Sequence, residues 1–167
     1  PDTRDIARFE DATRRWHMYR PTFAPEQSIL PGDETKRLRR GGYLRYRELF
    51  NARQLYGLEQ SAAFIASIKD TRIRAALATN LSDLLRYQNM LCRYDTTALK
   101  SLDIFSVHGF PIGLLQVESN ILGIVNDSGI NVGSGGWSNI IEKYTKAKRY
   151  CDAPFEVQRQ GKRKIIV

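Results

Sequence analysis

Four side chains able to recognise a phosphate or a base edge recur along one stretch of the chain: Ser82, Arg86, Asn89 and Arg93. At about 100° per residue they share an arc of roughly 60° on a helix, with Leu77, Leu81, Leu84, Leu85 and Leu91 centred opposite. Arginine grips a phosphate or a guanine edge with two hydrogen bonds, and asparagine matches both edge atoms of adenine. Arg86, Asn89 and Arg93 are therefore candidate nucleic-acid contacts. The other reading of the same residues is structural, as polar struts set against Asp83, Asp95 or Asp103.

The charge distribution points the same way. Residues 36–53 hold seven cations (positions 36, 37, 39, 40, 45, 47 and 53) against Glu48, and residues 143–164 hold eight against Asp152 and Glu156. The net charge is +8; these two stretches carry +12, so the rest carries −4. Tyr43, Tyr46, Tyr144 and Tyr150 are interleaved with the cations. Such a surface suits a polyanion, because each neutralised phosphate releases counterions and aromatic faces stack on exposed bases. Arg39, Arg40, Lys143, Lys146 and Arg149 join the candidate contacts. The plain alternative is a solvated surface whose cations favour helix C-termini.

Residue types for catalysis are present but not arranged for it. His17 and His108 have no metal-ligand spacing around them, and no Gly-x-Ser-x-Gly nucleophile turn occurs. Gly129, Gly133, Gly135 and Gly136 precede a helix, yet the stretch lacks the Gly-Lys-Ser/Thr ending of a phosphate loop. It reads as a flexible loop. Cys92 and Cys151 stand 59 positions apart and outside any Cys-x-x-Cys pair, which excludes a zinc ribbon or disulfide framework. Cys92 falls on the apolar side of its helix and reads as a small buried hydrophobe. No catalytic residue, metal ligand or cofactor-binding residue is assigned to this chain.

The elements that must position the candidates follow from periodicity. Residues 5–19 have helical spacing, and residues 20–42 are punctuated by Pro21, Pro25, Pro31, Gly32, Gly41 and Gly42, which predicts a connector. Asn51 and Gln54 form a capping-box variant at the start of a helix over about 51–69, with Leu55, Leu58, Ala62, Ile65 and Ala66 inward. After a three-residue joint, 69–71, a second helix is predicted over about 72–93; so short a joint favours an antiparallel pair. Residues 96–134 are predicted to be loop-rich, because Gly109, Pro111 and Gly113 interrupt their alternation. A third helix over about 136–150 places Ile140, Ile141, Tyr144 and Ala147 inward, and two short strands around Gln160 and Gly161 close the chain.

The expected fold is mainly α: a helical bundle built on the pair at 51–69 and 72–93 plus the helix at 136–150, with a loop-rich layer and a short C-terminal β-hairpin. Residues 1–42 form the first helix and connector, and residues 43–167 the helical domain, compact as one unit. No apolar run approaches the ~18 residues of a membrane span, and no basic-then-apolar leader opens the chain, so no membrane partner and a cytoplasmic location are expected. Pro1 at the start and the strand-like run at the end read as cuts from a longer polypeptide.

Four ordered motifs, LFNARQL (49–55), LSDLLRYQNMLCRYD (81–95), FSVHGFP (105–111) and GGWSNIIEKYTKAKRYC (135–151), resemble the middle region of the large adenine-specific DNA methylases. That family often carries a zinc ribbon and begins with a domain of unknown function. The resemblance covers roughly residues 43–155. It implies an S-adenosylmethionine-dependent parent enzyme whose glycine-rich cofactor loop and Asp-Pro-Pro-Tyr motif lie outside this chain. The prolines stand at 1, 21, 25, 31, 111 and 154, so no Pro-Pro pair exists. The resemblance makes the chain a non-catalytic insert that binds duplex DNA or positions the target base, beside flanking catalytic and zinc-ribbon parts. Two other readings stand: a scaffold or dimerisation domain of such an enzyme, and an independent nucleic-acid-binding module.

Overall fold

The computed structural model describes residues 2–110, 112, 115–160 and 163–166. Pro1, Pro111, Gly113 and Gly161, which entered the expectations above, lie outside the described residues. The fold is mainly α. Five α-helices, α1 (Thr3–Met18), α2 (Lys36–Arg40), α3 (Ala52–Ser67), α4 (Thr71–Leu85) and α5 (Trp137–Asp152), dominate the description. Three antiparallel two-stranded ladders accompany them: β1 (Arg93–Asp95) with β2 (Lys100–Leu102), β3 (Ile124–Val125) with β4 (Asn131–Val132), and β5 (Val157–Gln160) with β6 (Arg163–Ile166).

Helix starts are set by side chains that take up free backbone N–H groups. Asp2 and Asp5 form a reciprocal box at α1, and Asn51 and Gln54 form the expected one at α3, where the Asn51 oxygen accepts from Gln54 N at 2.9 Å and Gln54 Oε1 accepts from Asn51 N at 3.0 Å. Asp70 caps α4 through Arg72 N and Ile73 N. Helix α3 packs against both α1 and α4, and α4 against α5.

The second predicted helix is too long by eight residues. Helix α4 stops at Leu85, and residues 86–92 turn the chain into β1. Asn89 supplies the reason: its Nδ2 donates to the carbonyls of Leu85 (2.9 Å) and Arg86 (3.0 Å), and its Oδ1 accepts from Leu91 N (3.0 Å). A side chain that takes the last carbonyls replaces the next helical turn. The connector also departs from expectation, because α2 forms within it and Ser28 bridges to Arg45. Ala66 and Ala147, expected inward, are exposed, as is Ile141 at 43%.

Two apolar clusters share Phe50. One joins Ile29, Leu38, Leu49 and Leu91; the other joins Leu58, Leu84, Tyr87 and Ile140, with Leu81, Ile121 and Trp137 packed against it. Ile29 and Leu38 thus tie residues of the connector to the helical region. A buried carboxylate reinforces the tie. Glu59, 2% exposed on α3, accepts hydrogen bonds from the consecutive N–H groups of Thr22, Phe23 and Ala24, the last at 2.9 Å. Charge-assisted bonds to backbone donors are the stronger kind, and removing their acceptor leaves those donors unmatched. Glu59→Ala is expected to lower unfolding free energy by about 2–4 kcal/mol, measured by urea denaturation, with Glu59→Gln recovering part of the loss.

Candidate nucleic-acid interface

The expected line of Ser82, Arg86, Asn89 and Arg93 does not persist, because the helix that would carry it ends before its last two members. Ser82 stays exposed on α4. Asn89 is 2% exposed and its amide is engaged in ending α4, so it presents no free edge. Arg93 is exposed on β1, opposite Leu102, and also bridges to Gln116. Arg86, at the C-cap of α4, is half-buried: its Nε lies 2.9 Å from Asp83 Oδ1, its Nη1 lies 3.8 Å from Asp103 Oδ2, and its guanidinium stands 5.4 Å from the Tyr87 ring centroid. The Nε is close to the carboxylate without a well-aligned hydrogen bond, so the contact is mainly Coulombic. For Arg86 and Asn89 these are the bonds of a strut.

The first cationic stretch is largely committed to the fold. Arg37 Nη2 donates to Ile112 O at 3.0 Å and Arg39 Nη1 to Ile29 O at 2.7 Å. Arg45 and Arg47 both pair with Glu26. Arg53 makes a two-pronged contact with Glu118 (2.7 and 2.8 Å), which also accepts from Asn51 Nδ2 at 2.7 Å. Glu118 thus binds both the cap residue and the second residue of α3, and its hydrogen bond raises the Arg53 pKa above the ordinary value. Arg53 is thereby held in the fold by a carboxylate. Lys36 and Arg40 have no ion-pair partner among the described residues, and with Arg39 they line a shallow depression beside Pro31 and Leu44.

Helix α5 is different. Only Ile140 is buried, and every residue of 145–152 is exposed. Lys146 pairs with Glu142 one turn earlier, and that bond, followed by one from Asn131, holds the Glu142 carboxyl below its usual range. Lys143 lies 5.2 Å from the Tyr87 ring centroid and Lys148 lies 5.5 Å from that of Tyr144, while Arg149 has no ion-pair partner among the described residues. The side chains of Arg159, Lys162, Arg163 and Lys164 lie outside the described part of the chain.

The glycine-rich stretch before α5 is a packing device. The first two N–H groups of the helix donate to Ile121 O (2.9 Å) and Leu122 O (3.1 Å), which occupies the donors a phosphate would need. At Gly135, with φ +84°, an added Cβ would lie 2.3 Å from the Tyr87 Cβ; at Gly136 it would lie 2.3 Å from Gly123 Cα. Residues 124–132, expected as loop, form the hairpin of β3 and β4. His17 and His108 are exposed, and among the described residues no group of three or more His, Cys, Asp or Glu side chains converges as a metal site. No helix among the described residues is long and apolar enough to cross a membrane.

Cys92 is fully buried, as expected, with its thiol directed at Tyr87 O (3.1 Å) and Arg86 O (3.3 Å). Burial raises its pKa from 9.0 to about 11. Sequence reasoning missed Glu118, Glu59 and Gln88. Glu118 did leave a signal, as the one carboxylate between Asp103 and Asp127. No protein-family model, curated protein or solved structure matches this chain.

Three outcomes follow. Asn89→Ala is expected to cost about 2–3 kcal/mol, since it leaves the buried Leu91 N–H and the Leu85 carbonyl without their partner and removes one of the bonds to Arg86 O, whereas alanine at Arg149 stays within about 0.5 kcal/mol; thermal denaturation separates them. Under native conditions at pH 8, a thiol reagent should label exposed Cys151 and spare Cys92. Because the folded Cys92 keeps its proton while the unfolded thiol loses it, its contribution to stability is intact below pH 9.0 and falls as pH rises towards about 11. Denaturation midpoints across that window, compared with Cys92→Ala, check the sign.

Proposed function

We propose that this chain is a non-catalytic DNA-binding or target-positioning part of an S-adenosylmethionine-dependent DNA methyltransferase, adenine-N6 being the favoured chemistry, with cofactor and catalysis residing in flanking parts of the same polypeptide. The four ordered motifs support the enzyme class. The bare, cationic C-terminal half of α5 carries the DNA-binding part of the reading: Lys146, Lys148 and Arg149 project from a helix segment with no buried residue, and Lys143 precedes them by one turn. A helix that spends eight residues in solvent gains nothing from packing there, and its charge suits a phosphate backbone. Lys36 and Arg40, with no ion-pair partner among the described residues, form a second cationic group, which Arg39 borders with one guanidinium nitrogen bonded to Ile29 O. Arg86 and Asn89 move from the contact surface to its support.

A second reading, a scaffold that docks to the flanking parts, has its own observation. Leu30 (74% exposed), Leu122 (73%), Phe105 (71%) and Phe64 (67%) leave large apolar surfaces open. The two readings are compatible in an enzyme that holds DNA between parts.

A salt series tests the DNA reading. Fluorescence anisotropy of a labelled duplex should give affinity that falls linearly with log salt concentration, with a slope of about −0.9 per phosphate neutralised. The triple substitution Lys143→Ala, Lys146→Ala and Arg149→Ala should flatten that slope by roughly two to three contacts without lowering the melting temperature. Absence of binding at low salt, or binding indifferent to salt, would overturn the reading.

A further inference from the structure

Residues 22–25 form a strap that Glu59 ties to α3, and the strap leaves a space beneath it. Between it, α3 and α4 lies a cavity of about 160 Å³. Phe23 and Ala24 of the strap line it, with Leu58 and Ala62 of α3 and Leu81 and Leu85 of α4. Among the described residues of the lining, Glu59 is the one polar side chain.

That carboxylate is already saturated. Its Oε1 accepts from Thr22 N and from Phe23 N (3.1 Å), and its Oε2 from Phe23 N (3.1 Å) and Ala24 N (2.9 Å). Two bonds to each oxygen fill the acceptor capacity of a carboxylate. A buried water needs about three hydrogen bonds, and no side chain of the lining has one to offer, so hydration of the space is unfavourable. A polar ligand meets the same penalty, and an anion meets the charge of Glu59 besides. A hydrocarbon meets neither. It supplies the dispersion contacts that an unfilled space denies to its walls.

Size narrows the class. An apolar cavity of about 150 Å³ holds one benzene ring, and the space under the strap is of that order. Phe23 is 48% exposed and Leu85 40%, whereas Leu58 is 8% exposed. The mouth therefore lies by Phe23 and Leu85, and the closed end by Leu58.

We propose that this cavity is a binding site for a free, compact, uncharged hydrocarbon of single-ring size, seated between the strap, α3 and α4. The site is separate from the cations of α5 and does not depend on the DNA-binding reading. A ring held there joins the strap to both helices by apolar contact, alongside the Glu59 bonds. Occupancy therefore stabilises the folded chain as ligand concentration rises above its dissociation constant.

The probe is benzene, titrated into the whole chain with its leucine and alanine methyl groups isotope-labelled for NMR. The signals of Leu58, Ala62, Leu81 and Leu85 should shift and saturate together, while those of Leu30 and Leu122, exposed and outside the lining, stay in place. Phenol should bind at least about fivefold more weakly, because its hydroxyl finds no free side-chain partner, and benzoate should not bind. N-acetylphenylalaninamide, whose ring brings a peptide backbone, should also be weaker by at least about fivefold. Ala62→Leu fills the space and should abolish the benzene shifts with the melting temperature kept; Ala62→Met fills it with a more adaptable side chain. Benzene should raise the melting temperature of wild type and not of the filled variants. Unsaturable shifts shared with Leu30 and Leu122, or saturation that persists in a folded filled variant, overturn the site. Phenol or benzoate bound as tightly as benzene overturns the hydrocarbon selection. N-acetylphenylalaninamide bound as tightly overturns the assignment to a free molecule and makes the cavity a seat for a partner's side chain. None of these outcomes alters the DNA reading, which the salt series decides.

Discussion

The fold depends on a knot of buried amide hydrogen bonds in residues 86–92. Asn89 ends α4, and Gln88, wholly buried, donates from one nitrogen to Ser119 O (3.2 Å) and Gly135 O (2.6 Å), two carbonyls from separate loops. The Arg86 carbonyl meanwhile accepts Ile104 N at 3.0 Å, and Met90 N donates to Leu49 O at 2.8 Å. Each matched donor and acceptor recovers its desolvation cost, while the Gln88 Oε1 stays buried without a hydrogen-bond partner among the described residues. The start of α3, the end of α4, the loop before α5 and the turn after β2 therefore converge on one heptapeptide.

That convergence changes the meaning of the charge count. Five of the seven cations in residues 36–53 are held by Glu26, Glu118 or backbone carbonyls, so formal charge overstates what a polyanion would meet there. Exposed pairs of this kind add little stability; their contribution is to fix which way each guanidinium points. The cations of α5 are fewer but less encumbered. A sequence reports the number of charges, whereas a surface is made by those the fold leaves over.

Much of the architecture was legible because it is local. The Asn51–Gln54 box, the short joint, at 68–70 rather than 69–71, and the start of α5 to within one residue follow from neighbours in sequence, whereas Cys92 is buried as expected but beyond the helix on whose apolar side it was placed. The end of α4 was not legible. Its leucine periodicity runs on through Leu91, and the side chain of Asn89, bonded to Leu85 O, Arg86 O and Leu91 N, stops the helix sooner, a competition that apolar periodicity does not register. The same error shaped the candidate site: Arg86, Asn89 and Arg93 align only on a helix that continues. Glu118 and Gln88 were invisible for a related reason, as each acts on backbone or side chains 31 to 67 positions away. The glycines before α5 looked mobile in isolation, yet at Gly135 and Gly136 the absent Cβ is what lets Tyr87 and Gly123 approach.

The span of those bonds has a consequence for how the molecule assembles as it is made. Asn51 meets Glu118 across 67 positions, and Ser61 meets the Trp137 indole, at 3.0 Å, across 76. Helices α1, α3 and α4 leave the ribosome long before these closures are possible, with Gln88 still hydrated rather than locked. The bonds that lock Gln88, Asn51 and Ser61 can therefore close only once the glycine turn and α5 seat against Tyr87, so these contacts are of high sequence separation and form last in synthesis order.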